Sequence, residues 1–70
     1  MTEVAAELTA NVWQVRASVG DELDEGDEIV VLEAMKMEVP VVAPRAGRLV
    51  ELRVAPDDVV NEGDVIAVLA

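Results

Sequence analysis

Apolar and polar residues alternate along two stretches of the chain. In residues 13–19, the positions that share one face of an extended strand are apolar: Trp13, Val15, Ala17 and Val19. The intervening positions are polar: Gln14, Arg16 and Ser18. Residues 50–54 repeat this alternation, with apolar side chains at every second position. A period of two predicts half-buried β-strands in both stretches.

The two stretches belong to a longer internal repeat. Residues 13–33 align without a gap with residues 50–70, and eight of the 21 aligned pairs are identical. The shared block reads EGD-x-I-x-VL and contains an acidic Gly-Asp turn followed by apolar residues. Such self-similarity predicts two copies of one supersecondary unit.

Each copy is predicted to contain an alternating strand, an acidic turn region and a second strand. The turn regions run from residue 20 to 26 and from residue 56 to 63, and the second strands lie near residues 28–33 and 65–69. No segment shows a sustained helical period. Two small β-units that cannot bury their apolar faces alone are expected to pack as one all-β sandwich or flattened barrel. Residues 1–70 are therefore expected to form a single domain with internal pseudo-symmetry.

The segment that joins the two copies is predicted to be a hairpin. The strand EIVVLE leads out, EVPVVA returns, and AMKM forms the turn. Tight hairpin turns usually use Asn, Asp or Gly because their central residues need positive φ. If Met35 and Lys36 hold positive φ, each costs about 1–3 kcal/mol. Lys36 is the only lysine in the chain, so this turn is the candidate functional site.

Composition restricts the classes of partner. The net charge is −10, which excludes nucleic acid and anionic membranes as expected partners because phosphate neutralisation needs basic residues. The chain has no Cys and no His, so thiol chemistry, disulfides and the commonest general base are absent. The acidic N-terminal residues do not resemble a signal peptide. We expect a cytoplasmic protein, and a monomer because a closed fold leaves few open sheet edges.

The motif EAMKME, residues 33–38, resembles the modification site of the biotinyl/lipoyl-domain family. VGDELDEGD, APRAGRLVEL and EGDVIAVL also resemble the turns and strands of this family, so the resemblance covers almost the whole chain. It implies a flattened barrel of two four-stranded antiparallel sheets, with an exposed hairpin that carries Lys36. It further implies covalent biotin on Lys36 and a recognition role for Met35 and Met37.

The resemblance implies a carrier protein that is not itself an enzyme. A biotin protein ligase would attach biotin to Lys36. The biotin would then shuttle a carboxyl group between the biotin carboxylase and carboxyltransferase sites of an acyl-CoA or related carboxylase. The tether would act by raising the effective concentration of biotin at each site.

Other interpretations remain open at this point. A lipoyl carrier shares the fold but usually presents Asp-Lys-Ala at the turn, and a non-carrier interaction module would leave Lys36 unmodified. Calcium binding by DELDEGDE fits poorly, because Leu23 and Leu32 fall where a calcium loop needs ligands. The acidic turns are therefore interpreted as solvated. Trp13 is predicted to pack in the core, on the inward face that it shares with Val15.

Overall fold

The computed structural model describes residues 1–70 and consists of eight β-strands joined by turns. The strands are β1 Thr2–Ala5, β2 Ala10–Val15, β3 Glu22–Leu23, β4 Glu28–Ala34, β5 Met37–Val42, β6 Gly47–Leu52, β7 Val59–Val60 and β8 Val65–Leu69. No helix in the structure is long and apolar enough to cross a membrane.

The strands form two four-stranded antiparallel sheets. The first sheet has the order β1-β8-β6-β3, and the second has the order β5-β4-β2-β7. The molecule measures 31 × 17 × 17 Å along its principal axes. The expected all-β architecture of two four-stranded sheets is confirmed.

The internal repeat extends further than the sequence alignment suggested. The pairing of Leu32 with Val39 in β4 and β5 recurs, 37 positions away, as the pairing of Leu69 with Thr2 in β8 and β1. Each of these strand pairs also has its register shift at the equivalent place. Strand β1 therefore corresponds to β5, although residues 2–5 and 39–42 are identical only at one valine. Strand β1 was not predicted from the repeat, because β1 and β5 keep equivalent backbone pairing but share almost no residues.

The core lies between the sheets and is entirely apolar. Seventeen residues are buried and none of them is polar or charged. Its largest fully buried side chains are Ile29, Leu32, Leu49, Ile66, Leu69, Val12 and Val30. They come from the middle strands β2, β4, β6 and β8, so each copy contributes to the same core. Full burial of one such side chain stabilises the fold by about 1.5–3 kcal/mol.

The prediction for Trp13 is wrong. Val12 is buried and Val15 packs against the core, but Trp13 is 42% exposed. A β-bulge between Val12 and Gln14 explains the difference, because it places two residues, instead of one, between successive inward positions. Val19, predicted on the same inward face, lies beyond the end of β2 and is also exposed.

The acidic turns are organised by their own aspartates. Four Asp carboxylates each accept a hydrogen bond from the backbone N–H three residues earlier, at 2.8–2.9 Å: Asp21, Asp27, Asp58 and Asp64. These side chains are exposed, as interpreted from the sequence, but they also fix the backbone of the turns. Equivalent positions carry this bond in both copies.

Candidate attachment site

The candidate site is the two-residue turn between β4 and β5. Ala34 pairs with Met37 across the hairpin, and Met35 and Lys36 form the turn itself. Their φ angles are +51° and +63°. Positive φ at both central residues is the pattern of a type I′ turn, which matches the right-handed twist of the flanking strands. The hairpin turn at these residues and the positive φ of both central residues, which the sequence analysis considered, are thus present.

The strands on either side fix the position of the turn. Residues Ile29 to Leu32 of β4 are all buried, so this strand cannot slide without exposing its apolar face. Strand β5 lies at the edge of its sheet, where Pro40 is tolerated because an edge strand has one side without a sheet partner. A buried strand paired with an edge strand thus holds the turn in one register.

The side chains of the turn lie in solvent. Met35 is 94% exposed and Met37 is 65% exposed, while Lys36 also belongs to the exposed class. Methionines usually fill gaps in apolar cores, so two exposed methionines on either side of one lysine are unusual for a fold of this size. Neither surface cleft of the molecule is lined by residues of the turn. The turn is an exposed projection that belongs to neither cleft.

Lys36 differs from the other cationic side chains in having no partner. The four arginines are each bound: Arg16 to Glu28 at 3.7 Å, Arg48 to Glu22 at 3.5 Å, Arg53 to Glu51, and Arg45 to Thr2 Oγ1 at 2.8 Å. Lys36 forms no ion pair or side-chain hydrogen bond. Its primary amine is therefore free to react with an activated carboxyl group.

Two carboxylates lie close to the turn. Glu33 and Glu38 are directly opposite each other in β4 and β5, one pair away from Ala34 and Met37. Both are exposed and neither forms an ion pair. Like charges at directly opposed strand positions are destabilising, so the fold alone does not account for them.

The chemical groups at the turn include no metal-binding cluster. The structure contains no group of three or more His, Cys, Asp or Glu residues that could hold a metal ion. The site offers one amine, two flexible apolar side chains and two carboxylates. This set is suited to covalent modification of the amine by another protein.

Comparison with known proteins identifies relatives of nearly the same length. A biotin/lipoyl attachment protein of Bacillus subtilis is 42% identical over 67 residues, which are 96% of this chain and 92% of the relative. A homologue of biotinylated protein TB7.3 from Mycobacterium leprae is 46% identical over 68 residues, which are 97% of this chain and 96% of the relative.

Solved structures show the same fold within much larger chains. The urea carboxylase of Kluyveromyces lactis superposes with a TM-score of 0.94 at 33% identity, covering 99% of this chain and 6% of the carboxylase. A single-chain, multi-domain long-chain acyl-CoA carboxylase superposes with a TM-score of 0.88 at 39% identity, covering 94% of this chain and 7% of that one. This fold therefore occurs as a small part of multi-domain carboxylases.

The family comparison agrees with both sets of relatives. The biotin/lipoyl family, described as biotin-requiring enzyme, matches residues 1–69. With that match and two relatives above 40% identity over almost the full length, the chain belongs to the biotin/lipoyl domain family.

Proposed function

We propose that residues 1–70 form one biotin carboxyl carrier domain in which Lys36 carries biotin through an amide bond. The observation that carries this proposal is the unpartnered amine of Lys36 on a projecting type I′-like turn, within a chain of this family. The relatives named as biotinylated proteins support biotin as the attached group.

Attachment requires a ligase that activates the biotin carboxyl group. Attack requires a free lone pair on Nζ, so the ligase site must accept a proton from any ammonium form of Lys36. The lone pair then forms a bond to the activated carboxyl carbon, the bond to the activating group breaks and its electron pair leaves with that group, and Nζ gives up a second proton. The product is a neutral amide at the end of a long, flexible tether.

Met35 and Met37 are proposed to be recognised by the ligase. Their exposed apolar surface gives the fold no core contact, but it can be buried when a partner encloses the turn. Thioether side chains adapt to the shape of an apolar surface, which suits transient recognition by more than one enzyme.

The domain itself is proposed to be a non-catalytic carrier. The biotin on Lys36 would visit a biotin carboxylase site to receive a carboxyl group and a carboxyltransferase site to deliver it, and the tether would keep its effective concentration high at both. Relatives named as a urea carboxylase and an acyl-CoA carboxylase support this role. We further propose that the protein is a monomer and that it is located in the cytoplasm. Light scattering that shows a stable dimer would contradict the monomer. Cell fractionation that finds the protein outside the cytoplasmic fraction would contradict the location.

Lipoylation of Lys36 is the second candidate, because a relative with 42% identity is named a biotin/lipoyl attachment protein. Biotin is placed first because methionines flank the lysine on both sides and because other relatives are named biotinylated proteins. A non-carrier interaction module is the third possibility, and it predicts an unmodified lysine.

The intact mass of the protein isolated from its own source tests these alternatives. We expect an increase equal to one biotinyl group in the wild-type chain and no increase in the Lys36→Arg variant, which keeps the positive charge. An increase equal to one lipoyl group would replace biotin by lipoate at the same residue. An unmodified wild-type mass, with ligase and biotin in excess, would contradict the carrier function.

A further inference from the structure

The outer face of the second sheet carries a partly exposed indole. Trp13 is the only aromatic residue in the chain, and the bulge in β2 leaves it 42% exposed. The equivalent position in the other copy is residue 50, next to the corresponding register shift in β6. That position holds a valine. The pseudo-symmetric copy thus shows that the same bulge forms around a small side chain.

The residues around Trp13 also differ in chemical character from their counterparts on the other sheet. We define the Trp13 face as the outward residues Asn11, Trp13, Gln14, Pro40 and Val59 of the second sheet. Their counterparts 37 positions away are Arg48, Val50, Glu51, Glu3 and Glu22. One face is made of apolar and amide side chains, and the other is mostly charged.

On the charged face, two of the three carboxylates are paired with arginines. Arg48 pairs with Glu22 across β6 and β3, and Arg53 donates a hydrogen bond to Glu51 that holds the pKa of this carboxyl below its ordinary value. The Trp13 face has neither pair, because Asn11 and Val59 occupy the positions of Arg48 and Glu22. Val59 is left 65% exposed. Replacing a charged pair by Asn11 and Val59 gives no advantage on a surface in contact with water. It favours binding when a partner covers the surface, because apolar area is then buried.

Two carboxylates border the Trp13 face and lack cationic partners. Glu33 and Glu38 continue the cross-strand row of Val59 and Asn11, at the end of the sheet next to the turn, and neither forms an ion pair. An occupant that supplies Arg or Lys side chains would pair with these carboxylates.

We propose that the Trp13 face is the docking surface for the biotin protein ligase, through an apolar cleft bordered by basic side chains on the enzyme. This inference rests on the proposed function. The ligase must bring an activated carboxyl group to Nζ, which extends from the turn only by a four-carbon stem. A ligase that reaches Nζ over this short stem must cover the strands next to the turn. Trp13 lies on one of these strands, roughly 12 Å along the sheet from the turn.

A carboxylase active site has less need of this face. After biotin is attached, the reactive ring is at the end of a longer tether and can enter a site while the carrier stays further away. The ligase is therefore the partner for which close contact with the second sheet is unavoidable. Burial of an indole beside basic side chains adds apolar contact and cation–π attraction, and tryptophan is among the residues most often dominant in interfaces.

Steady-state biotinylation tests the proposal. The assay uses purified biotin protein ligase, biotin and ATP, with the full chain as the varied substrate. Trp13→Val and Val59→Glu each give the second sheet the residue found at the equivalent position of the first. We expect each variant to raise KM for the carrier about fivefold or more with kcat unchanged, because docking is weakened while the turn is intact.

The pseudo-symmetry supplies matched controls. Val50→Ala and Glu22→Val change the equivalent positions of the first sheet and should leave KM unchanged. Val59 is exposed and lies on a two-residue edge strand, so Val59→Glu tests the face even if Trp13→Val is less stable. Equal KM values for the folded variants of both sheets, or a fall in kcat alone, would overturn the docking surface. Failure of the wild-type chain to accept biotin at all would instead contradict the proposed function.

Discussion

Met35 and Lys36 hold backbone conformations that residues with a Cβ atom rarely adopt. Left-handed φ values cost about 1–2 kcal/mol per residue relative to the right-handed region. Domains are stable by only about 5–15 kcal/mol, and a chain of 70 residues is near the lower end. Two such residues in succession therefore use a noticeable part of the stability of this domain. Asn and Gly would form the turn more easily, so the fold alone does not account for the residues present.

Relief of this strain is measurable at Met35. We expect Met35→Asn to raise the free energy of unfolding by about 0.5–1 kcal/mol, because asparagine tolerates the left-handed region better. Urea unfolding of the unmodified chain measures the difference. Met37→Asn is the matched control, since Met37 is exposed in β5 and has no positive φ, and it should not be stabilising. An equal or lower stability for Met35→Asn would show that the turn is not strained.

At the scale of elements, some strands and turns could be predicted from the sequence and others could not. The block EGD-x-I-x-VL made β4 and β8 predictable, because burial on both sides requires apolar residues at consecutive positions. The turn at Met35 and Lys36 was predictable because the two copies must be joined by a hairpin, and its unusual turn residues marked it as a candidate site. The bulge at Trp13 was not, because apolar alternation continues through it unchanged in the sequence. The aspartate bonds of the turns were missed because acidic residues near glycine fit a solvated loop equally well.

The turn aspartates are expected to contribute equally in the two copies. Asp27→Ala and Asp64→Ala each remove a carboxylate that accepts a backbone N–H at the same place in its copy. Each should lower the free energy of unfolding by about 1 kcal/mol, as for comparable local side-chain-to-backbone bonds. Urea unfolding provides the measurement.

Asp24→Ala is the control for this pair of variants. Asp24 donates its backbone N–H in the same turn, but its own carboxylate accepts no hydrogen bond. Its loss should therefore be close to neutral. If Asp24→Ala were as destabilising as Asp27→Ala, charge rather than the turn bond would explain the effect.

At the scale of the whole molecule, carboxylates dominate the surface. All fifteen Asp and Glu residues are exposed, on a body only 31 × 17 × 17 Å in size. The three ion pairs are also exposed, so each contributes little. Repulsion among like charges acts over the Debye length of about 10 Å at 0.1 M salt, which is a large fraction of the 17 Å width of the molecule. Acylation of Lys36 would change the net charge from −10 to −11.

Salt should therefore stabilise this protein. We expect an increase from low salt to about 0.5 M sodium chloride to raise the free energy of unfolding by about 1 kcal/mol, or Tm by roughly 4–8 °C for a domain of this size. Differential scanning calorimetry gives the shift. Glu25→Lys, at an exposed residue without a side-chain partner, should be more stable at low salt and respond less to added salt. A decrease in Tm with salt would show that the ion pairs outweigh the repulsion.

The register shared by β4 with β5 and by β8 with β1 has a consequence for how such a carrier can arise. The turn at Met35 and Lys36 connects β4 directly to β5. Strands β8 and β1 pair in the equivalent register, but no turn connects them. A half-chain that pairs with a second copy of itself would already make this architecture. Duplication and fusion of its coding segment would then create a single new junction, at the Met35–Lys36 turn. Because the unjoined counterpart keeps the same register without a turn, the sequence of that junction is not needed to set the register and is open to selection for chemistry.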